Sequence, residues 1–249
     1  MKCADDVITA YPLFSVECRD SNSISPHYIK TNSKKDFQIR KITKDEAGSI
    51  LKPFHYLTNI SKGFKSGINF GCFKNDELVG VAIFTGFPVP ELAKGMLGLD
   101  RHEQSGLFEL SRLCIEPSIQ KSEHNLASWF LSRCIRTLRK ETDVKVILSY
   151  ADSDYHSGVV YAACNFKYYG LTAPKKDFYI QNKDGSYTKH SRGVVKGVAG
   201  EWRDRTRKHR FVMIFDSSLH IKWDERKWVK NEKITTDPAE LGTTTITMS

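Results

Sequence analysis

Apolar and polar positions at the start of the regular part of this chain follow a strand and then a helix. The alternation in 37–42 fits a half-buried strand. Thr43 and Glu46 form a capping-box pattern, with the acid three residues after the cap, so a helix should begin there. Pro53 should end or bend that helix, because proline cannot donate the backbone hydrogen bond.

The pattern then changes to strands, and afterwards to strands that alternate with helices. Two apolar runs, 68–73 and 78–84, flank the polar segment 74–77 and predict a hairpin. Further along, the pattern predicts a strand at 107–115, a polar loop at 116–124, a helix at 125–140 and a strand at 144–150. A short helix with a strand follows at 161–170, then a hairpin near 183–185 and a last strand at 211–215. This order predicts an α/β fold with a central mixed sheet and helices on both faces.

The chain is expected to form one domain with two peripheral ends. Residues 1–36 mix Ser, Asn, Pro and Lys without periodicity, which predicts a peripheral N-terminal arm. The domain itself should span 37–229, and the Thr-rich, polar segment 230–249 should be a disordered tail.

Composition excludes some classes of protein. Of 249 residues, 40% are hydrophobic, and no run approaches the roughly 18 apolar residues that a membrane span needs. The N-terminus lacks the charged and then apolar pattern of a signal peptide. The six cysteines show no close-paired spacing, which favours a reducing cytoplasm over a disulfide framework or a zinc site.

The net charge of +9 is consistent with a polyanionic partner. Within the basic region 175–210, the segment 201–210 carries five Lys or Arg against two acids, with Trp202 at one end. Clustered arginines near aromatic rings suit contacts to phosphates and bases. The candidate DNA-binding residues are Arg112, Arg203, Arg205, Arg207, Lys208 and Arg210.

The polar loop ahead of the long helix is a candidate phosphate site. Ser122, Asn125 and Ser128 are small or polar, and they leave backbone N–H groups available at a helix start, where these groups can hold a pyrophosphate. An ordinary capped helix is the alternative, because the loop contains no Gly-x-Gly.

Four polar side chains are the candidates for catalysis. Asp152 closes a strand, where α/β folds expose functional groups, although it could instead cap the next helix. His55, beside Tyr56, could act as a base or a metal ligand, or it could be a core or capping histidine. Tyr161 could protonate a leaving thiolate, or it could serve only in packing.

Glu109 and Arg112 lie on one predicted strand, three residues apart. Side chains alternate between the two faces of a strand, so this spacing predicts that the two residues point to opposite faces. Only one of them should therefore face the site, and the sequence leaves open which one.

The order of these segments resembles the GNAT superfamily of N-acetyltransferases. In that superfamily a strand, a polar turn and a helix N-terminus bind the pyrophosphate of acyl-CoA, and a Tyr-x-x-x-Gly-Phe element follows. Here that element is 161–166, with Asn165 in place of glycine, and asparagine tolerates the same left-handed conformation. The resemblance makes an acyl-CoA-type donor a candidate cofactor, with Leu113, Ile115, Ser122, Asn125 and Ser128 as its candidate binding residues.

A narrower set of segments, in order from about 37 to 215, resembles the phage Mom family. These segments are His55-Tyr56, Asn69–Phe73, Leu78–Gly86, Phe108–Leu113, Asn125–Ser128, Ser149–Asp152, Tyr161 and Lys208–Val212. The resemblance implies an enzyme that places a carbamoylmethyl group on N6 of adenine in phage DNA and so protects it from host restriction. It also implies that the base is flipped out of the duplex.

The same resemblance implies double-stranded DNA as partner and the host cytoplasm as location. It makes His55 and Tyr56 candidate iron ligands, and it leaves open whether the protein forms a homodimer. Two other functions remain open at this point. One is a general acyl-CoA-dependent N-acyltransferase that acts on a small amine or a protein lysine. The other is a non-enzymatic DNA-binding module on a degenerate transferase fold.

Overall fold

The computed structural model describes residues 33–56, 63–190 and 197–230. Apart from a 3-10 turn at Ser33–Asp36 and residue 230, the predicted arm and tail lie outside these ranges. No helix within the ranges is both long enough and apolar enough to cross a bilayer.

The described part of the chain contains ten strands and five helices. The strands are β1 (Phe37–Lys41), β2 (Ile68–Lys74), β3 (Glu77–Gly86), β4 (Leu107–Ile115), β5 (Val146–Asp152), β6 (Lys167–Leu171), β7 (Lys175–Gln181), β8 (Tyr187–Lys189), β9 (Gly200–Arg205) and β10 (Lys208–Ile214). The helices are α1 (Lys44–Phe54), α2 (Pro90–Leu97), α3 (Pro117–Ser122), α4 (Leu126–Glu141) and α5 (Val159–Ala163).

Seven strands form the central sheet, in the order β1-β2-β3-β4-β5-β10-β6. Among the described strand pairs, β4 and β5 alone are parallel, so the sheet is mixed. The predicted mixed α/β fold is therefore confirmed. A second sheet, β8-β7-β9, includes the predicted hairpin near 183–185, but the sequence did not indicate a separate sheet.

Helices cover both faces of the central sheet, as predicted. On one face, α4 and α5 pack on a cluster that includes Phe84, Phe130 and Phe211. On the other face, α1 packs on one smaller cluster and α2 on another. We call these the α4 face and the α1 face. The four cysteines in the described ranges are buried free thiols that fill the core as small apolar groups.

The first helix begins and ends as its sequence predicts. The Thr43 N–H donates to the Glu46 carboxylate (2.7 Å), and the Glu46 N–H donates to the Thr43 hydroxyl (3.2 Å). Pro53 lies inside the last turn, and the helix stops one residue later. The His55 N–H still donates to the Leu51 carbonyl (3.1 Å), which fixes His55 at the end of α1.

The central sheet opens between β4 and β5. Their parallel pairing runs from Leu107 with Val146 to Leu110 with Ser149 and stops there in the described structure. Beyond this point β4 continues along β3, and β5 continues along β10. The Ser149 hydroxyl donates to the Leu110 carbonyl (3.1 Å) at the point of divergence, so two adjacent strand ends remain unpaired with each other.

A β-bulge in β4 corrects the expectation for Glu109 and Arg112. The strand partners are Leu110 with Phe84 and Arg112 with Ile83, so Ser111 is an extra residue. A bulge of this kind resets the alternation of side chains. Leu107 and Cys114 both pack on the α1 face, and Glu109 and Arg112 share that face with them. The prediction that the two side chains point oppositely is wrong.

Candidate active site

A row of aromatic rings joins residues from three separate segments. The His55 and Tyr56 rings are stacked with centroids 4.6 Å apart, and the Tyr56 and Tyr155 centroids are 4.4 Å apart. His156 lies between two predicted candidates, with its ring 6.2 Å from Tyr56 and 6.2 Å from Tyr161. The structure thus brings together His55, Tyr56 and Tyr161, which are distant in sequence.

Tyr161 owes its position to the backbone at both ends of α5. Gly158 begins the helix with a φ of 85°, and Asn165 follows it with a φ of 65°, the left-handed conformation predicted for that asparagine. The Tyr161 ring packs 5.2 Å from the Phe211 ring, and its hydroxyl hydrogen-bonds Ser149 where β4 and β5 diverge. Tyr161 therefore packs in the core and also presents a hydroxyl group to the opening.

Both histidines of the row are uncharged at neutral pH. Burial, with smaller contributions from Arg112 and His156, lowers the pKa of His55 to about 3. Burial, with a contribution from His209, lowers the pKa of His156 to about 4. Each ring therefore carries an unprotonated nitrogen that can accept a hydrogen bond, but a pKa this low makes the ring a weak base.

The phenols of Tyr56 and Tyr161 hold their protons. Burial raises the pKa of Tyr161, and the neighbouring Ser149 hydroxyl opposes this effect. Burial also raises the pKa of Tyr56, with further contributions from Tyr161 and Asp152. Both hydroxyl groups are therefore proton donors at neutral pH.

Two carboxylates and two cations lie beside the aromatic row, namely Glu109, Asp152, Arg112 and Lys208. Burial raises the pKa of Glu109, while Arg112 and Lys208 lower it. Lys208 is the direct strand partner of Asp152, and burial lowers the pKa of Lys208 although Asp152 opposes the change. The two cations and the two carboxylates partly neutralise one another, so positive and negative side chains can both remain close to the aromatic row.

Arg112 has an unused donor. Its Nη1 donates to the Ser111 carbonyl (2.5 Å), but its buried Nε has no hydrogen-bond partner among the described residues. A buried N–H without a partner costs free energy, on the order of 1–3 kcal/mol. This N–H could donate to an acceptor group on a bound substrate.

Asp152 shapes the loop that carries His156. Its carboxylate accepts from the Asp154 N–H (3.2 Å), and its carbonyl accepts from the N–H groups of Tyr155 and His156 (both 3.0 Å). Burial raises its pKa. The expected alternative, a cap for the following helix, does not apply directly, because α5 begins only after Gly158.

The candidate cofactor residues lie along β4 and around the start of α4. Leu113 and Ile115 pack on the α4 face. Contrary to the predicted loop, Pro117–Ser122 forms the short helix α3, and the Ser122 hydroxyl donates to the Ile119 carbonyl (3.1 Å).

Asn125 occupies the N-cap position of α4 without a side-chain capping bond. The Ser128 hydroxyl donates back to the Asn125 carbonyl (3.1 Å). The first turn of α4 therefore has no side-chain cap, which leaves backbone donors for an anion.

The candidate DNA-binding residues divide among three places. Arg112 and Lys208 lie beside the aromatic row, as described above. Arg203 and Arg205 are exposed on β9 of the second sheet. The other two residues support the fold: the Arg207 Nε donates to the Thr172 carbonyl (2.8 Å), and the Arg210 guanidinium lies 4.4 Å from the centroid of the Trp223 ring.

The iron site expected at His55 and Tyr56 has no support. Among the described residues, no group of three or more His, Cys, Asp or Glu side chains is arranged to hold a metal ion.

Sequence reasoning missed His156 and Tyr155 and left Glu109 undecided. The signal for the first two was weak but present, because both follow the carboxyl end of β5, an edge where α/β folds carry functional groups. Glu109 could not be assigned, because the bulge at Ser111 has no clear signature in the sequence.

Lowering the pH from 7.5 to 5 is expected to destabilise the protein through His55 and His156. Unfolded histidine binds a proton below about pH 6.5, whereas these folded imidazoles, with pKa values of about 3 and about 4, do not. As the pH is lowered, the unfolded state binds protons before the folded state does. The free energy of unfolding therefore decreases, on the order of 1 kcal/mol per histidine by pH 5. Glu109 acts in the opposite sense, because burial raises its pKa.

Thermal unfolding at the two pH values measures this effect. His156→Gln should show a smaller loss of Tm than the wild type, whereas substitution of the exposed His102 by Gln should leave the loss unchanged. Equal losses in all three proteins would contradict the interpretation.

Comparison with known proteins gives one family. The model of the Mom protein family matches residues 36–231. A search of curated proteins gives no significant match.

Several solved structures are similar at low identity. An acetyltransferase from Bacillus subtilis in complex with CoA has 16% identity and a TM-score of 0.42, over 72% of this chain and 97% of that chain. An IAA acetyltransferase from Bacillus cereus has 12% identity and a TM-score of 0.43, over 72% and 99%. A GNAT acetyltransferase from Elizabethkingia anophelis with acetyl-CoA bound has 13% identity and a TM-score of 0.43, over 73% and 100%.

Proposed function

Because the chain belongs to the Mom protein family, we propose that it modifies DNA by adding a carbamoylmethyl-type group to N6 of adenine. Such an enzyme would act on double-stranded DNA in the cytoplasm of a phage-infected host and protect the DNA from restriction. The observation that carries the proposal is the position of the neutral His156 ring between Tyr56 and Tyr161, with Asp152 and Arg112 near enough to shift the pKa of Tyr56.

The aromatic row suits a flipped adenine. Enzymes that act on a base hold it by stacking against aromatic side chains and by hydrogen bonds to its edge. Tyr155, at the end of the row, is 46% exposed, so a base can reach its ring from solvent. Arg112 offers a buried Nε–H to a ring nitrogen, and Glu109 can accept from the amino group.

The exocyclic amine is a poor nucleophile, because its lone pair is delocalised into the ring. It must lose a proton as its new bond forms, so a nearby base is required. His55 and His156 are the candidate bases, but the pKa of each buried ring is low, so the charge of the bound substrate must raise it for either ring to take this proton. Asp152 holds the loop that positions His156.

Tyr161 is the candidate proton donor to the leaving thiolate. Burial keeps its phenol protonated, and its hydrogen bond with Ser149 fixes the hydroxyl where β4 and β5 diverge. Lys208 and Arg112 can stabilise negative charge that develops nearby.

An acyl-CoA-type donor fits the residues on the α4 face. The uncapped first turn of α4, with Asn125 and Ser128, would hold its pyrophosphate, next to Ser122, while Leu113 and Ile115 would line its path along β4. When bound, such a donor would supply an acyl carbon and a thiolate leaving group, so that attack by N6 would give an N6-acyl adenine. A glycyl group attached in this way is an isomer of the carbamoylmethyl product, which then requires a rearrangement.

Mass spectrometry of nucleosides from the DNA of cells that express the protein tests this proposal. We expect a modified deoxyadenosine with the wild type and a loss of at least about 10-fold with Asp152→Ala, because the carboxylate that accepts from the Asp154 N–H and faces Lys208 is lost. The exposed Asp143 provides a matched control, and Asp143→Ala should retain the wild-type yield.

An unmodified deoxyadenosine profile from soluble, folded wild-type protein would overturn the proposal. Transfer to a small amine or lysine peptide in the absence of DNA would instead identify a general N-acyltransferase.

A further inference from the structure

The positive charge of the second sheet is largely neutralised within that sheet. Most of its basic side chains pair with a neighbouring carboxylate. The pairs are Lys176 with Asp204, Lys189 with Asp177, Arg203 with Glu201, and Arg205 with Asp177. The Arg203 guanidinium also lies over the rings of Tyr179 and Tyr187, at 4.7 and 4.5 Å from their centroids. The basic region that stands out in the sequence therefore offers less free charge than its composition indicates.

The outer side of α4 differs, because Arg133, Arg136 and Lys140 form no ion pair with an acid in the part of the chain that the structure describes. Arg133, Arg136 and Lys140 are exposed on consecutive turns of this helix. With Lys34, Lys35 and Trp129 they line a groove between α4 and the start of β1, which we call the α4 groove. Within the described ranges, the nearby ion pairs are Lys41 with Glu141 and Lys74 with Glu123, and none includes a cation of the groove.

The floor of the groove is aromatic. Trp129 packs edge-on against Phe37, with ring centroids 6.1 Å apart, and the Arg133 guanidinium lies 5.7 Å from the Trp129 ring centroid. Arg133 contacts this aromatic floor, and the other cations of the groove lie around it. The groove therefore presents a row of separate charges, which suits several anionic groups in a line.

The length of the row favours a polymer over a small ligand. The cations on α4, from Arg133 to Lys140, span about 10 Å at about 1.5 Å per residue. Each strand of duplex DNA has one phosphate per roughly 3.4 Å of helix axis, so about three phosphates match this length. Lys34 and Lys35 add two further cations across the groove, so a single pyrophosphate would leave most of the five cations unpaired.

One end of the groove adjoins the candidate cofactor site. Asn125 and Ser128 border the α4 surface there, together with Arg133 and with Ala163 of α5, the helix that carries Tyr161. A polyanion that follows α4 toward its N-terminus is thereby led to the helix of a proposed catalytic residue.

We propose that the α4 groove binds the sugar-phosphate backbone of the DNA duplex that the enzyme modifies. This inference rests on the proposed function, and it moves the main phosphate contacts from the second sheet to α4. The groove supplies affinity without reading sequence, because phosphates carry no sequence information.

The test compares two triple variants of the full chain that lose the same net charge. R133A/R136A/K140A removes exposed cations of the groove, and K176A/K183A/K189A removes exposed lysines of the second sheet. Fluorescence anisotropy with a labelled duplex, over a series of salt concentrations, gives the affinity and its salt dependence. Isothermal titration with CoA measures cofactor binding separately.

For the groove variant, the slope of log K against log salt should fall in magnitude by about 2–3, or about 0.9 per lost contact. DNA affinity should weaken by roughly 10- to 100-fold near 0.1 M salt, and this loss should exceed any loss of CoA affinity, because Arg133 and Arg136 also border the pocket at Asn125 and Ser128. The second-sheet variant should change the slope by less than about 1. Equal Tm values would show that both variants remain folded.

Three results would overturn the inference. If the groove variant binds DNA like the wild type, or if the second-sheet variant loses more affinity, the α4 groove is not the phosphate site. If the groove variant loses CoA affinity while it keeps DNA affinity, the groove serves the cofactor. In each of these cases wild-type modification of DNA would leave the proposed function intact, whereas wild-type protein that binds no duplex at low salt would overturn both.

Discussion

Tyr161→Phe is expected to lower the yield of modified deoxyadenosine by about 100-fold or more, the range typical for loss of a positioned general acid. The substitution keeps the ring that packs against Phe211 and removes only the hydroxyl that meets Ser149. The core should therefore stay intact while the proton donor is lost. Mass spectrometry of nucleosides measures the yield, and thermal unfolding measures the fold.

Tyr169→Phe is the matched control for this experiment. Tyr169 is also buried and lies on the strand after α5, but it packs on the α1 face with its ring 6.4 Å from the Trp223 ring. Its loss of a hydroxyl should leave the yield within about 2-fold of the wild type. If Tyr161→Phe were equally active, Tyr161 would have a packing role alone.

Gly158→Ala is expected to destabilise the fold by about 3 kcal/mol, which corresponds to a fall in Tm of roughly 10 °C. Gly158 has a φ of 85°, and an added Cβ would lie 2.2 Å from Cε2 of Phe211. Phe211 is fully buried between the sheet and α5, so its ring has little room to move. Either the ring or the start of α5 must shift, and Tyr161 would shift with the helix.

Gly95→Ala provides a contrast for this stability measurement. Gly95 lies inside α2, and an added Cβ would meet nothing within 4 Å. Alanine there should stabilise the protein by about 0.5–1 kcal/mol, because it costs less backbone entropy in a helix. Thermal unfolding measures the Tm of both variants. Similar Tm values for the two would contradict the proposed role of Gly158.

The sequence predicted the elements that depend on local signals. Thr43 and Glu46 define the start of α1 through bonds three residues apart, and Asn165 adopts the left-handed conformation that its short polar side chain allows. Such features need only neighbouring residues, so they can be found without a structure. The candidates His55, Tyr56 and Tyr161 do lie together, although this grouping came from family resemblance.

Features that depend on distant contacts could not be predicted. His156 gains its position from the turn at Asp152 and from the rings of Tyr56, which follows α1, and of Tyr161 on α5, which the local sequence does not specify. The pairing of the second-sheet cations with carboxylates depends on strand register. Counting charges along 201–210 therefore overestimated the free charge of that surface.

The bulge at Ser111 also makes β4 tolerant of one change in length. Leu110 and Arg112 pair with the consecutive β3 residues Phe84 and Ile83, so removing the Ser111 codon would restore regular pairing and leave every residue from Arg112 to Ile115 on its present face. Loss of a residue elsewhere in the strand would instead exchange the faces of the residues on one side of the deletion. Lineages of this protein are therefore expected to vary or lose the residue at the bulge and to keep the length of the rest of the strand.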